Sequence, residues 1–267
     1  MPIIGFGTYK IPEGEETVNA VKLAFSTGYR LIDTAKVYKN EESVGRAIKE
    51  SGLKREEIFI TTKLWNVDQG YESALKAIDE SLAKLGLSYI DLYLVHWPTA
   101  DIKALESINK REETWRAMEE IYKAGKAKAI GVSNFAIKHL EEMKNYATIM
   151  PVINQVEFHP FLYQAELLNY CKQHNIVLNA YRSLTNGQRI NDEVVTNIAK
   201  KYNKSNAQIL IRWCLQHGCI ALPKSTKKEY VEENINVFDF EISAEDMKVL
   251  GALNENFHLS PDPNKLS

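Results

Sequence analysis

Short runs of apolar, β-branched residues alternate along the chain with longer stretches in which apolar positions recur at helical spacing. The runs Ile4–Gly7, Leu31–Asp33, Ile58–Thr62, Leu92–His96, Ala129–Val132, Ile153–Glu157, Val177–Ala180 and Ile220–Pro223 predict strands. Several are continuously apolar, as expected of parallel strands covered on both faces. Helical periodicity predicts Thr17–Ser26, Glu41–Glu50, Tyr71–Lys84, Glu112–Lys123, Lys138–Asn145, Gln164–His174, Asp192–Lys201 and Asn206–Gln216. Gly86 and Gly125 stand just past two of these, where a left-handed residue ends a helix without a Cβ clash. Strand and helix in regular alternation predict an α/β chain folded as a (β/α)8 TIM barrel, with a doubly wound open sheet as the alternative. No GxGxxG follows the first strand, which weighs against a dinucleotide-binding open sheet. No linker or repeat interrupts the pattern, so residues 1–267 read as a single domain. Thr99–Lys110 reads as a polar loop, and the proline-bearing tail from Leu259 to Ser267 as irregular chain.

Composition narrows the class. The 267 residues include 33 basic and 35 acidic side chains, a formal charge of -2 that supplies no electrostatic pull toward nucleic acid or a membrane surface. No apolar stretch approaches the roughly 18 residues that suggest a membrane span. The opening MPIIGFGTYK lacks the layout of a signal peptide, so the cytoplasm is the expected compartment. Cys171, Cys214 and Cys219 form neither a CxxC pair nor an even disulfide framework, and read as small buried hydrophobes in a reducing compartment.

In such a barrel, chemistry is built at strand ends and the loops beyond them. Asp33, Lys63 and His96 fall at the ends of the second, third and fourth strands, and Tyr38 five residues past Asp33. Each alone has a structural explanation: a cap, a solvated cation, a hydrogen-bonded core imidazole, an ordinary tyrosine. Together they compose a proton-transfer device. A phenol with a pKa near ~10 is a poor acid or base at neutral pH unless tuned. A lysine cation favours its phenolate, an aspartate holds that lysine charged, and a histidine can orient a substrate carbonyl. Hydride reaching the carbonyl carbon would then be matched by a proton from Tyr38.

Other chemistries find less support. There is no HExxH, clustered Cys/His set or EF-hand loop, so no metal is expected, and no GxSxG for a serine nucleophile. Leu222-Pro-Lys-Ser-Thr226 follows the last strand, where this fold often binds phosphate through backbone N–H groups; Lys224 can add a direct contact. Ser133, Asn134 and Gln155 suit hydrogen bonds to a carboxamide, and Tyr181 offers a face for ring stacking.

These segments carry a family resemblance. Asp33-Thr-Ala-Lys-Val-Tyr-Lys-Asn-Glu41, Thr61-Thr-Lys-Leu-Trp65, Asp91-Leu-Tyr-Leu-Val-His-Trp-Pro98, Ala129-Ile-Gly-Val-Ser-Asn-Phe135, Asn154-Gln-Val-Glu-Phe-His-Pro160 and Leu222-Pro-Lys-Ser225 with Glu233-Asn234 resemble the motifs of the aldo-keto reductase family, in its microbial glyoxal, methylglyoxal and 2,5-diketo-D-gluconate reductase type. The resemblance spans Gly5 to about Pro263. It implies carbonyl reduction with NADP(H), NAD(H) being the second cofactor to consider, and a tetrad of Asp33, Tyr38, Lys63 and His96. It implies that Thr8, Asp33, Ser133, Asn134, Gln155, Tyr181, Lys224, Ser225, Thr226, Glu233 and Asn234 hold the cofactor. Tyr9, Trp65, His96 and Trp97 would shape the substrate wall, and the expected state is a monomer acting on a small carbonyl compound. A non-catalytic cofactor-binding or regulatory protein on the same fold is the alternative; retention of the whole tetrad argues against it.

Three departures stand out. Members of the family usually carry an N-terminal hairpin across the barrel floor, which is expected here to be reduced or absent. Tyr230 stands where an arginine commonly clamps the 2'-phosphate, which predicts a narrower NADPH margin over NADH. Arg182-Ser183-Leu184 replaces the common Ser-Pro-Leu, with Arg182 free to reach a pyrophosphate, to pair with a carboxylate such as Asp192, or to close over the cofactor.

Overall fold

The computed structural model describes residues 1–100 and 107–266. Eight parallel strands follow one another around a single sheet: β1 (Phe6–Gly7), β2 (Leu31–Asp33), β3 (Phe59–Leu64), β4 (Leu92–Val95), β5 (Ile130–Ser133), β6 (Ile153–Glu157), β7 (Val177–Tyr181) and β8 (Ile220–Ala221). Backbone bonds join the two ends. Gly5 N donates to Ala221 O at 2.9 Å, Ala221 N to Ile3 O at 3.1 Å, and Gly7 N to Pro223 O at 3.1 Å. This closure makes the sheet a barrel and removes the open-sheet alternative.

Outside lie α1 (Glu15–Ser26), α2 (Glu41–Glu50), α3 (Tyr71–Leu85), α4 (Ser107–Lys123), α5 (Ile137–Met143), α6 (Ala165–Gln173), α7 (Glu193–Tyr202), α8 (Asn206–Gln216), α9 (Lys228–Ile235) and α10 (Ala244–Gly251). The periodicity finds the first eight within a few residues. It places the start of α4 too late: the helix already runs from Ser107, inside the expected polar loop, of which residues 101–106 lie outside the described residues. It misses α9 and α10, each only eight residues long. A signal for α10 was present, since Ser243 Oγ caps it by accepting from Asp246 N at 3.1 Å. The tail is not wholly irregular; a 3-10 turn spans Pro263–Lys265.

Two apolar layers result. Leu31, Leu92, Leu94, Ile153, Ile220 and Leu222 fill the barrel interior as one cluster. The opposite strand faces, including Ile32, Ile60, Tyr93 and Val132, pack outward against the helices in the larger cluster. All three cysteines are buried, free thiols; burial pushes Cys171 up to about 11 and Cys219 up to about 12.

Candidate active site

Side chains two apart on a strand share a face. Beyond the interior Leu31, Leu94 and Ile153, the same face therefore continues to Asp33, His96 and Gln155. They compose a polar layer above an apolar one, at the C-terminal ends of the strands. Register sets Asp33 opposite both Gly7 and Thr61, and Lys63 opposite Leu94.

Asp33 and Lys63 are 4% and 0% exposed. Lys63 Nζ donates to Asp33 Oδ1 at 2.5 Å and to Thr34 O at 2.8 Å, while Gln155 Nε2 donates to Asp33 Oδ2 at 2.8 Å. Both charges are thus paired, the condition under which burial is tolerated. Burial pulls the Lys63 pKa down from its ordinary value, and the Asp33 carboxylate opposes that pull.

Tyr38 enters from beyond the strands. It ends a 3-10 turn, Lys36–Tyr38, closed by Lys39 in the left-handed region at φ 58°. Lys36 fastens the turn through Asp68 at 3.0 Å and Glu80 at 2.8 Å. Asn40 anchors the next residues by donating to Thr8 O and Ile11 O. So held, the Tyr38 hydroxyl lies 3.4 Å from Lys63 Nζ. Burial, followed by the negative charge of Asp33, pushes the Tyr38 pKa well above its usual value. The phenol keeps its proton at neutral pH, the state that a proton donor requires, and the lysine cation is positioned to stabilise the phenolate left behind.

His96 stands edge-on to Tyr38 at 5.8 Å and to Trp65 at 5.3 Å. Burial, then the Lys63 charge, holds its pKa well below the usual histidine value, so the imidazole is neutral. Its Nδ1 is buried without a partner among the described residues. A proton there would be an orphaned donor, which assigns the ring hydrogen to Nε2.

Beside the tetrad lies a second polar group. Ser133 Oγ donates to Gln155 O at 2.7 Å, Asn134 Nδ2 donates to His96 O at 2.9 Å, and the Tyr181 hydroxyl donates to Asn134 Oδ1 at 2.6 Å. A cavity of about 980 Å³ joins the two sets. Its lining includes Tyr9, Asp33, Tyr38, Trp65, His96, Trp97, Ser133, Asn134, Gln155, Tyr181 and Lys224. Lys63 sits behind Asp33 and Tyr38, and Thr8 Oγ1 donates to Asp33 O at 3.0 Å from a fully buried position.

Five of the expected cofactor residues do not border the cavity: Thr8, Ser225, Thr226, Glu233 and Asn234. Ser225 and Thr226 lie past Lys224, with Ser225 Oγ accepting from Lys227 N at 3.1 Å. Glu233 accepts from Ser205 Oγ at 2.6 Å, and Asn234 is buried on α9. Tyr230 is 48% exposed, with Lys227 Nζ 5.4 Å above its ring. Asp192 is not the partner of Arg182: it caps α7, accepting from Val194 N at 2.9 Å. Arg182 donates to Ser260 Oγ at 2.7 Å and approaches Glu157 Oε2 at 3.7 Å. Asn186, Gln188, Ile190, Ser260 and Pro261 also line the cavity, and sequence reasoning missed them. No periodicity tells where an irregular tail comes to rest.

Residues 3–255 match the model of the aldo/keto reductase family. Glyoxal reductase of Bacillus subtilis (strain 168) is 52% identical over 266 residues, covering 100% of this chain and 94% of the relative. The chain belongs to the aldo/keto reductase family. The 9,11-endoperoxide prostaglandin H2 reductase of Trypanosoma cruzi (strain CL Brener) is 47% identical over 99% of this chain and 92% of its own length. Among solved structures, an aldo-keto reductase enzyme from a Medee basin deep-sea metagenome library superposes with a TM-score of 0.93 at 45% identity, covering 100% of this chain and 96% of that one. A Gox0644 mutant in complex with NADPH gives 0.92 at 40% identity, over 100% and 95%. This aldo/keto reductase is therefore an oxidoreductase. Among its described residues, no group of three or more His, Cys, Asp or Glu is placed to hold a metal ion, and no helix is long and apolar enough to cross a membrane.

Proposed function

We propose that this aldo/keto reductase converts aldehydes or ketones to alcohols with NADPH, using Tyr38 as general acid. The observation that carries the reading is the chain Asp33–Lys63–Tyr38 beside a neutral His96 at the wall of one cavity. The cavity also suits a nicotinamide dinucleotide in its donor set. Tyr181 offers a ring face, held by Asn134. Ser133, Asn134 and Gln155 present hydroxyl and amide groups for a carboxamide, and Lys224 a cation for phosphate. Thr8, Ser225, Thr226, Glu233 and Asn234 complete the proposed cofactor set around this core. When bound, NADPH supplies the hydride.

The chain's own residues do the rest. His96 donates its Nε2 hydrogen to the substrate oxygen and fixes the carbonyl's direction. Tyr38 gives its proton to that oxygen as negative charge builds there, and Lys63, held by Asp33, lowers the energy of the resulting phenolate. Tyr9, Trp65 and Trp97 exclude water from the reacting bond.

Small or activated carbonyls such as methylglyoxal, glyoxal and substituted benzaldehydes are the proposed substrates. An NADPH-consumption screen over a carbonyl panel, run beside Tyr38→Phe, tests the reading. Turnover of the variant is expected to fall by about 100-fold or more. Full activity in the variant would remove Tyr38 from the role of proton donor.

A further inference from the structure

We propose that Arg182 makes this cavity selective for carbonyl compounds that also carry a carboxylate; the inference rests on the reductase reading above. Arg182 directly follows Tyr181 at the end of β7 and lines the same cavity as Tyr38 and His96. Its backbone sits at φ 54°, in the left-handed region that a side chain with a Cβ rarely adopts. Such a conformation persists only where the surroundings enforce it, and it is found most often at functional positions.

The guanidinium is held but not used up. It carries five N–H donors in a planar fork. Among the described residues, it donates one hydrogen bond, from Nη1 to Ser260 Oγ at 2.7 Å. Glu157 stands 3.7 Å away, too far for a hydrogen bond, and is already occupied by Leu259 N at 2.9 Å, Ser260 N at 2.8 Å and His159 Nε2 at 3.1 Å. The side chain is 15% exposed and lines the cavity.

The cavity's charge favours an anion. Lys10 and Lys224 line it together with Arg182, which the Glu157 carboxylate balances only in part from 3.7 Å, and Asp33, its lining carboxylate, is paired with Lys63. Lys224 serves the cofactor phosphate in the reading above. Arg182 instead shares the cavity wall with Tyr38, Trp65 and His96. An anion bound to it there belongs to the molecule whose carbonyl Tyr38 serves. A carboxylate matches the fork in bidentate geometry.

4-Formylbenzoate and its methyl ester present one aldehyde with and without the charge. The wild-type chain is expected to favour the acid in kcat/KM by about tenfold or more, the size of one charge-assisted pair. Arg182→Gln should erase most of that ratio, and Arg182→Lys should restore part of it by returning the charge without the fork. An ester used as well as the acid by the wild-type chain, or a ratio unchanged in Arg182→Gln, overturns the proposal. So does an equal loss for both aldehydes matched by a weaker NADPH Kd, measured by fluorescence; that result gives Arg182 to the cofactor's pyrophosphate. Turnover of neither aldehyde by a wild-type chain that binds NADPH strikes instead at the reductase reading, and at this inference with it.

Discussion

Lys63→Met removes a cation that is 0% exposed and leaves the Asp33 carboxylate buried beside an apolar side chain. At the observed 2.5 Å and an effective dielectric of ~20, the attraction lost is about 7 kcal/mol. The ammonium's desolvation penalty is recovered, so breaking the pair from one side costs a net ~3–5 kcal/mol. For a domain of this size that lowers Tm by roughly 10 °C. Asp33→Asn should cost a similar amount, because it strands the ammonium instead. The double variant Asp33→Asn/Lys63→Met strands neither charge and is expected to be more stable than either single one. Urea and thermal unfolding followed by circular dichroism measure all three. Activity should not follow stability: the double variant regains fold but not turnover, since no cation remains 3.4 Å from the Tyr38 hydroxyl. Single variants within about 1 kcal/mol of wild type, or a double variant showing the summed loss, would refute a coupled buried pair.

Three further outcomes follow from other parts of the molecule. His139 accepts from Ala136 N at 3.0 Å, its Nε2 faces Leu266 O at 3.2 Å, and burial pulls its pKa to about 4. Because that lies below the unfolded value of ~6.5, the unfolded chain takes up the proton first, and the stability present above pH ~6.5 is lost as pH falls toward 4. His139→Gln should flatten that dependence in urea titrations; a curve parallel to wild type contradicts it. At Gly45 on α2 a Cβ would collide with the Leu85 carbonyl of α3, so Gly45→Ala should destabilise by about 1–3 kcal/mol despite alanine's better helix propensity, and a raised Tm would refute the close approach. Tyr230→Arg places a guanidinium where the exposed tyrosine stands, and is expected to widen the NADPH-over-NADH ratio of kcat/KM by about tenfold; an unchanged ratio puts the 2'-phosphate elsewhere.

The barrel was legible because each strand is a short apolar run and the helices between them keep their period. The tetrad was legible for a related reason: three of its members are ionisable residues at the ends of apolar strands, positions where burial demands a partner. What stayed hidden depends on contacts distant in sequence. Nothing near Gln155 shows that its amide holds Asp33, 122 residues away. Nothing in Leu259-Ser-Pro261 shows that buried Glu157 accepts both tail amides and sets the tail against the cavity. Pairing of Tyr38 with Lys63 can be read from residue types, while the effect of burial on the phenol requires the folded surroundings. Short α9 and α10 fell below the length at which period alone decides.

The three buried thiols gain a meaning from the proposed chemistry. Aldehydes and dicarbonyls are electrophiles that modify thiolates, so an enzyme handling them is exposed to its own substrates. With Cys171 pushed up to about 11, the thiolate fraction at pH 7 is on the order of one in ten thousand, and Cys219 falls lower still. The side chains that pack the core thus also keep the chain's softest nucleophiles out of reach of the carbonyl compounds it is proposed to reduce.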